Sequence, residues 1–378
     1  MRKKKKILAT SWHTGGANAI TPVINELNMG KKIELVIIGH QYSKSVFDNF
    51  GIRYKTIESY GLKDVSLNSM GVILDEEKPD LIFTGSSPQD RNNKDVIEQN
   101  MTLAARFRKI PSLAVLDYWA NYWQRVSDIN SGERFKFLPD KLAIMDHYAK
   151  EAMLRENFPE EKLIITGNPY FDNLRKIAKN FDQSKKNYIR KKFNFDILIF
   201  YAGGPFKIDL NKYGYWYLDN VMLINEVIKE LSNILNCGLV VNFHPRLSPN
   251  EREEINKYIL NNGNGRIIVE NDIRSQELIL SSDIFATAFS TLAVEAILMK
   301  KPCISLQPNL KFTDEINVLT GRGIIPVAYT RENCVNLVKK AITNSKYLNN
   351  TLIKKASSFR VEPNATTSVV NLIYDTLK

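Results

Sequence analysis

Cysteine is scarce in this chain of 378 residues: Cys237, Cys303 and Cys334 stand far apart and are odd in number. That excludes a disulfide framework and a cysteine-based zinc cluster. Long apolar runs are missing too, and none reaches the roughly 18 residues that a membrane span requires. The start, Met1-Arg-Lys-Lys-Lys-Lys-Ile7, has the basic end of a signal peptide but lacks the apolar stretch, because Thr10, Ser11, His13 and two glycines follow at once. A cytoplasmic location is therefore expected, with the Lys3–Lys6 cluster available to the inner face of an acidic membrane. The spaced glycines of a dinucleotide-binding turn are absent, which argues against a dehydrogenase. There is no low-complexity segment and no short-period repeat. No nucleic-acid recognition motif or basic helix is evident, so nucleic acid is not expected as a partner.

What is present is an excess of positive charge, 52 Lys+Arg against 41 Asp+Glu, or +11. This balance suits an anionic ligand such as a nucleotide, and it equally suits a lysine-rich composition that aids solubility. Short β-branched runs alternate with amphipathic stretches. Strands are expected at 6–12, 33–38, 80–84, 112–116, 141–145 and 162–166. A second series is expected at 197–202, 239–243, 266–269, 283–287, 302–306 and 324–328. Most are apolar throughout rather than alternating, the mark of parallel strands covered on both faces. Helical patterns lie between them, as at 219–235 and 333–343. The fold class expected is α/β, with two Rossmann-like, doubly wound parallel-sheet domains facing a cleft. The charged stretch Lys176–Lys192 carries no strand signal and reads as the junction. The domains are placed at 1–178 and 179–355, with 356–378 as a terminal helix crossing back to the first.

Ligands of such sheets bind at the carboxyl ends of the strands. All four histidines, His13, His40, His147 and His244, follow expected strands. The first loop, Ser11-Trp-His-Thr-Gly-Gly-Ala-Asn18, combines His13 with paired glycines that permit close backbone approach. Pro22 is placed near the first turn of the helix that follows. His13 is the candidate general base, since an imidazole titrates near neutrality; a histidine hydrogen-bonded within its own loop is the alternative. Asp117, after the strand Ser112–Leu116, is the candidate orienting partner, and it also fits a helix cap. Gly15, Gly16, Asn18 and Trp119 are assigned to an acceptor side, with packed loops as the plainer alternative for the aromatic run. The loop at Thr84–Asp90 is placed beside them, where a simple turn is the stronger reading.

In the second half, Gly203 and Gly204 after the strand Ile197–Ala202 fit a diphosphate cradle, with Lys207 nearby. His244, Pro245 and Arg246 leave a strand together and offer cationic donors to phosphate. Ser290 and Thr291 open a helix, expected from about Ser290, whose N–H groups can hold phosphate. Glu295 lies one turn on and is placed to grip ribose hydroxyls. The plainer alternative makes Ser290 a cap and Glu295 a first-turn charge.

Ser290-Thr-Leu-Ala-Val-Glu295-Ala with Lys301-Pro302 resembles the donor segment of GT-B nucleotide-sugar glycosyltransferases, among them lipid A disaccharide synthase and the capsule sialyl and Kdo transferases. Thr166-Gly-Asn-Pro169 is similar to a segment of lipid A disaccharide synthase and the UDP-N-acetylglucosamine 2-epimerases, and His244-Pro245 resembles the His-Pro pair of the capsule enzymes. The resemblance implies a nucleotide-sugar donor held by the second domain and a carbohydrate or lipid-linked acceptor met by the first. It implies metal-independent sugar transfer in surface polysaccharide or glycolipid assembly, with no cofactor; an inverting outcome is expected only on the strength of His13 as a base. No Asp-x-Asp signature of metal-dependent transferases appears. In several such families a first-loop His backed by an Asp is the base, which His13 and Asp117 match by position. A hydrolysing 2-epimerase is the first alternative, set lower because the epimerases' Arg-Pro-Glu run is replaced by Trp12-His13-Thr14. Their paired glutamates in the donor helix are likewise reduced to Glu295 alone. A non-catalytic nucleotide- or membrane-binding assembly factor is the second.

Overall fold

The computed structural model describes residues 4–88, 96–244, 246–312, 318–344, 347, 351, 354 and 359–378. The chain divides into two units, one of Met1–Asn173 with Val361–Lys378, the other of Leu174–Arg360. The division falls inside the helix Pro169–Lys179, which with Gln183–Phe193 makes up the charged junction.

The first unit is built on a six-stranded parallel sheet. Its strands are β1 (Lys5–Ser11), β2 (Ile33–Gly39), β3 (Leu81–Thr84), β4 (Ser112–Val115), β5 (Lys141–Ile144) and β6 (Leu163–Ile165). They lie in the order β2-β1-β3-β4-β5-β6, with Thr10 of β1 opposite Thr84 of β3. Ile20, Val23, Ile24 and Leu27 of the helix Thr14–Gly30 cover one face, joined by Val369, Val370 and Ile373 of the last helix, Ala365–Thr376. Met70, Ile73 and Leu74, with Ile97, Met101 and Ala105, make up a separate cluster around Leu8 and Ile82. Burial on both faces is what the continuous apolar strands require.

The second unit repeats the plan. Strands β7 (Ile197–Ala202), β8 (Cys237–Asn242), β9 (Ile267–Val269), β10 (Ile284–Thr287), β11 (Cys303–Leu306) and β12 (Val327–Ala328) form a parallel sheet in the order β12-β11-β10-β7-β8-β9. The helix Tyr217–Leu231 lays Val221, Ile224, Val227 and Ile228 on Leu239, Val241 and Ile304. The three cysteines are buried thiols.

Every expected strand is present, and the differences have local causes. β12 begins at Val327, not near 324, because the Ile324 and Ile325 N–H groups donate to the Leu319 carbonyl and Pro326 has no N–H to give to a ladder. Pro22 stands inside the helix Thr14–Gly30, well beyond its first turn, and deprives the Asn18 carbonyl of its usual i+4 donor. The donor-segment helix starts at Leu292 and runs only to Leu298. Among the described residues, no helix is long and apolar enough to cross a membrane.

In each sheet the chain reverses its winding once: between β1 and β3 in the first unit, and between β7 and β10 in the second. Such switch points open a crevice at the carboxyl ends of the strands, where open α/β sheets bind ligands.

Candidate functional site

In the first unit, the switch point is floored by glycine. Gly16 and Gly85 approach so closely that a β-carbon on Gly85 would sit 2.9 Å from the Gly16 Cα and 2.6 Å from Glu98 Oε1. A β-carbon on Gly15 would overlap the Asp117 carboxylate. The paired glycines of the first loop are thus needed for contact with two neighbouring loops. Both belong to the helix that begins at Thr14, as does Asn18, which is half-buried.

Asp117 sits just beyond β4. Its Oδ1 is paired with Arg125 Nη1, and the same nitrogen donates to the Ser86 carbonyl at 2.5 Å. Arg125 is buried, and its Nε donates to the Ala120 carbonyl at 2.9 Å. Asn168 Nδ2 donates to the Asp117 carbonyl at 3.1 Å, so the Thr166–Pro169 segment also reaches this point. Next to it, the Glu98 carboxyl is buried. Its Oε1 accepts from Ser11 Oγ at 2.6 Å and Ser87 Oγ at 3.2 Å, and its Oε2 from the Ser87 N–H at 2.5 Å. Burial pushes this carboxyl up to about 7, with the charge of Asp117 adding to the rise and the three hydrogen bonds opposing it. Glu98, Gln99 and Arg125 line a small cavity under the Thr84–Ser86 loop.

His13 is exposed and caps the helix: its Nδ1 accepts from the Gly15 N–H at 3.5 Å. An imidazole nitrogen that accepts carries no proton, so in this arrangement the neutral ring holds its hydrogen on Nε2. Its edge packs against Trp12 and Tyr42. Trp119 does not lie open to a sugar. It is buried, stacks on Phe171 at 5.6 Å, and donates its indole N–H to Asp146 Oδ1 at 3.0 Å. An indole in an apolar interior needs such a partner, and that need outweighed display at the surface.

In the second unit, Gly203 has φ +123°, a conformation that favours glycine, and its hydrogen faces Thr287 Oγ1 and Ser290 Cβ. The loops after β7 and β10 therefore meet at that unit's switch point. A β-carbon on Gly204 would meet only Phe206, at 3.9 Å, so Gly204 is not tightly packed. Ser290 takes the capping part: its Oγ accepts from the Leu292 N–H at 3.2 Å, and its N–H donates to Thr287 Oγ1 at 3.3 Å. Thr291 is the residue before the helix. Glu295 is buried and accepts from Gln276 Nε2 at 2.8 Å. His244 Nδ1 accepts from the Arg246 N–H at 3.1 Å, and both side chains pack on Phe206 of the β7 loop. Pro245 lies outside the described residues. Lys207 is held by acidic neighbours, its N–H on Glu251 and its Nζ on Glu254. Sequence reasoning passed over Glu98 and Arg125. Arg125 closes an aromatic run, while Glu98 stands beside the polar Gln99 and Asn100 with nothing local to set it apart.

Two six-stranded parallel Rossmann-like units define the GT-B fold class. Among solved structures, the chain is similar to the S. aureus MnaA–UDP co-structure, with 19% identity over 99% of this chain and 98% of that one and a TM-score of 0.73. It is also similar to the UDP-GlcNAc 2-epimerase from Neisseria meningitidis bound to UDP-GlcNAc, at 18% identity, 98% and 99% coverage and a TM-score of 0.69. The UDP-GlcNAc 2-epimerase from Methanocaldococcus jannaschii matches at 19% identity, 98% and 99% coverage and a TM-score of 0.66. No family model matches the chain, and no curated protein matches it.

These likenesses overturn sugar transfer to a hydroxyl acceptor as the expected reaction, because several neighbours matched over their whole length are named as 2-epimerases. The short motifs behind that expectation follow the carboxyl ends of strands in a widely shared fold. They carry no information on what happens to the sugar. Among the described residues, no group of three or more His, Cys, Asp or Glu is placed to hold a metal ion.

Proposed function

We propose that this protein is a nucleotide-sugar 2-epimerase that inverts C2 of a UDP-N-acetylhexosamine. The observation that carries the proposal is the likeness, over nearly the full length of both chains, to structures named as UDP-GlcNAc 2-epimerases. Each unit, taken by itself, offers groups that suit part of such a substrate. In the second unit Gly203, Gly204, Ser290 and Thr291 take the UDP diphosphate, with His244 and Arg246 as cationic donors. Glu295 takes the ribose.

In the first unit Asp117 is the group for proton transfer. C2 of such a sugar has no neighbouring carbonyl, so its hydrogen leaves as a proton only as the C1–phosphate bond breaks. A carboxylate that takes that proton leaves a C1–C2 double bond and free UDP. Returning a proton to C2 from the opposite face, with UDP or water adding at C1, completes the inversion. Two proton-transferring groups are therefore needed, and the exposed His13 is the second candidate. Gly15 and Gly16 let the first loop approach the sugar.

The test is incubation with UDP-GlcNAc and no acceptor, followed by product separation. UDP-N-acetylmannosamine, or free N-acetylmannosamine with UDP, is the expected product, the choice between them telling whether UDP or water returns to C1. Unchanged substrate at high enzyme concentration, with UDP shown to bind, contradicts the proposal.

A further inference from the structure

Among the described residues, Glu98 is the buried carboxyl that spans the switch point of the first unit. It belongs to the first turn of the helix Ile97–Phe107, yet its hydrogen bonds run to the end of β1 at Ser11 and to the loop after β3 at Ser87. Those are the two strands between which the sheet reverses. Directly above the carboxyl, Gly16 and Gly85 touch with no room for a β-carbon on either. One residue further along, Gly15 abuts the Asp117 carboxylate. The Ser86 carbonyl, adjoining Ser87, receives Arg125, which in turn holds Asp117.

We propose that Glu98 is a positioning residue: by joining Ser11 to Ser87 it presses the glycine loop onto the Gly85 loop and so fixes the station of Asp117. Its service to catalysis rests on the epimerase function proposed above; its clamping of the two loops does not.

The hydrogen-bond chemistry suits a neutral acid. With the proton on Oε1, Glu98 donates to one of the two serine hydroxyls while Oε2 still accepts from the Ser87 N–H. Burial favours that neutral form. The charged groups facing it are Asp117, which reinforces the preference, and Arg125, which shares its cavity and is already paired with Asp117. Ser11, Gly16, Gly85 and Ser87, which also approach the carboxyl, and Gln99 and Thr102 of its own helix carry no charge. Glutamine copies the neutral acid, its amide NH₂ in place of the O–H.

The test compares the full-length parent with Glu98→Ala and Glu98→Gln. Amide hydrogen exchange is read on peptides spanning 11–17 and 84–88, and kcat and KM are read with UDP-GlcNAc between pH 5 and 8. Glu98→Ala is expected to speed exchange in both peptides and to lower kcat roughly tenfold or more, with UDP affinity unchanged. Glu98→Gln is expected to restore slow exchange and most of kcat. It should also remove a pH dependence of folding stability. Glu98 binds its proton more tightly folded than unfolded, so the parent loses stability as pH rises from about 4.3, an ordinary glutamate value, towards about 7. The glutamine variant should lack that loss. If Glu98→Ala folds and leaves exchange in both peptides at the parental rate, the clamp is refuted. If the parent shows no epimerase activity while exchange responds as described, the clamp stands and the proposed reaction fails.

Discussion

Asp117 lies so close to Gly15 that the helix following β1 has no room for a side chain at that position. A loop from one strand and a carboxylate from another are thereby held in van der Waals contact across the first unit's switch point. Alanine is intrinsically a better helix residue than glycine by roughly 1 kcal/mol. Gly15→Ala is nevertheless expected to destabilise the protein, because overpacking against an anchored Asp117 costs about 1–3 kcal/mol. Thermal unfolding checks this. A variant at least as stable as the parent means that Asp117 is not held where it stands.

Arg125 is the anchor. It is buried, and its loss would leave the Asp117 carboxylate and the Ser86 carbonyl without their donor. Breaking a buried pair from one side costs roughly 3–5 kcal/mol; the slight exposure of Asp117 favours the lower end. Arg125→Met is expected to lower the denaturant midpoint accordingly. Asp117→Asn with Arg125→Met together should cost less than the sum of the two, a coupling measured by a double-mutant cycle.

Gly203 makes the corresponding contact in the second unit, at a φ that strains any residue with a β-carbon. Gly203→Ala is expected to introduce roughly 1–3 kcal/mol of strain where the β7 loop meets Thr287 and Ser290. About 1.4 kcal/mol of that expressed in binding lowers UDP affinity tenfold. Calorimetric titration with UDP measures it. Parental affinity would take Gly203 out of the nucleotide site.

Lys301 gives a pH signature free of any assumption about function. Burial pushes its ammonium down to about 8, with the positive charges of Lys186 and Arg190 adding to the fall and Asp283 opposing it. Its Nζ donates to the Leu280 carbonyl at 3.2 Å. The unfolded chain binds this proton more tightly than the folded one. Stability should therefore rise as pH climbs from about 8 towards the ordinary lysine value of 10.5. Chemical denaturation across that range should show the rise in the parent and lack it in Lys301→Met. Equal slopes in the two would mean that Lys301 stays solvated.

The sheets were legible in the sequence because parallel strands buried on both faces read as unbroken apolar runs, as in Ile197–Ala202. The switch-point loops were legible because glycine pairs follow the first strand of each unit. The chemistry was less so. Glu98 and Arg125 act through partners 87 and 39 residues distant in the chain, and no local pattern encodes such contacts. Trp119 looked like a sugar platform because an aromatic run has the same composition in a packed interior as at a surface. The reaction was misjudged for a related reason: Ser290-Thr291 with Glu295 describes a strand-end loop and a helix start, a feature that many reactions on this fold share.

The central claim is that the hydrogen at C2 of the sugar is removed and replaced. Its most direct test is proton NMR of UDP-GlcNAc incubated with the protein in D₂O. Loss of the C2 proton signal, with deuterium at C2 of an N-acetylmannosamine product, is the predicted result. Substrate or product that keeps its original C2 hydrogen, from protein shown to bind UDP, would contradict it.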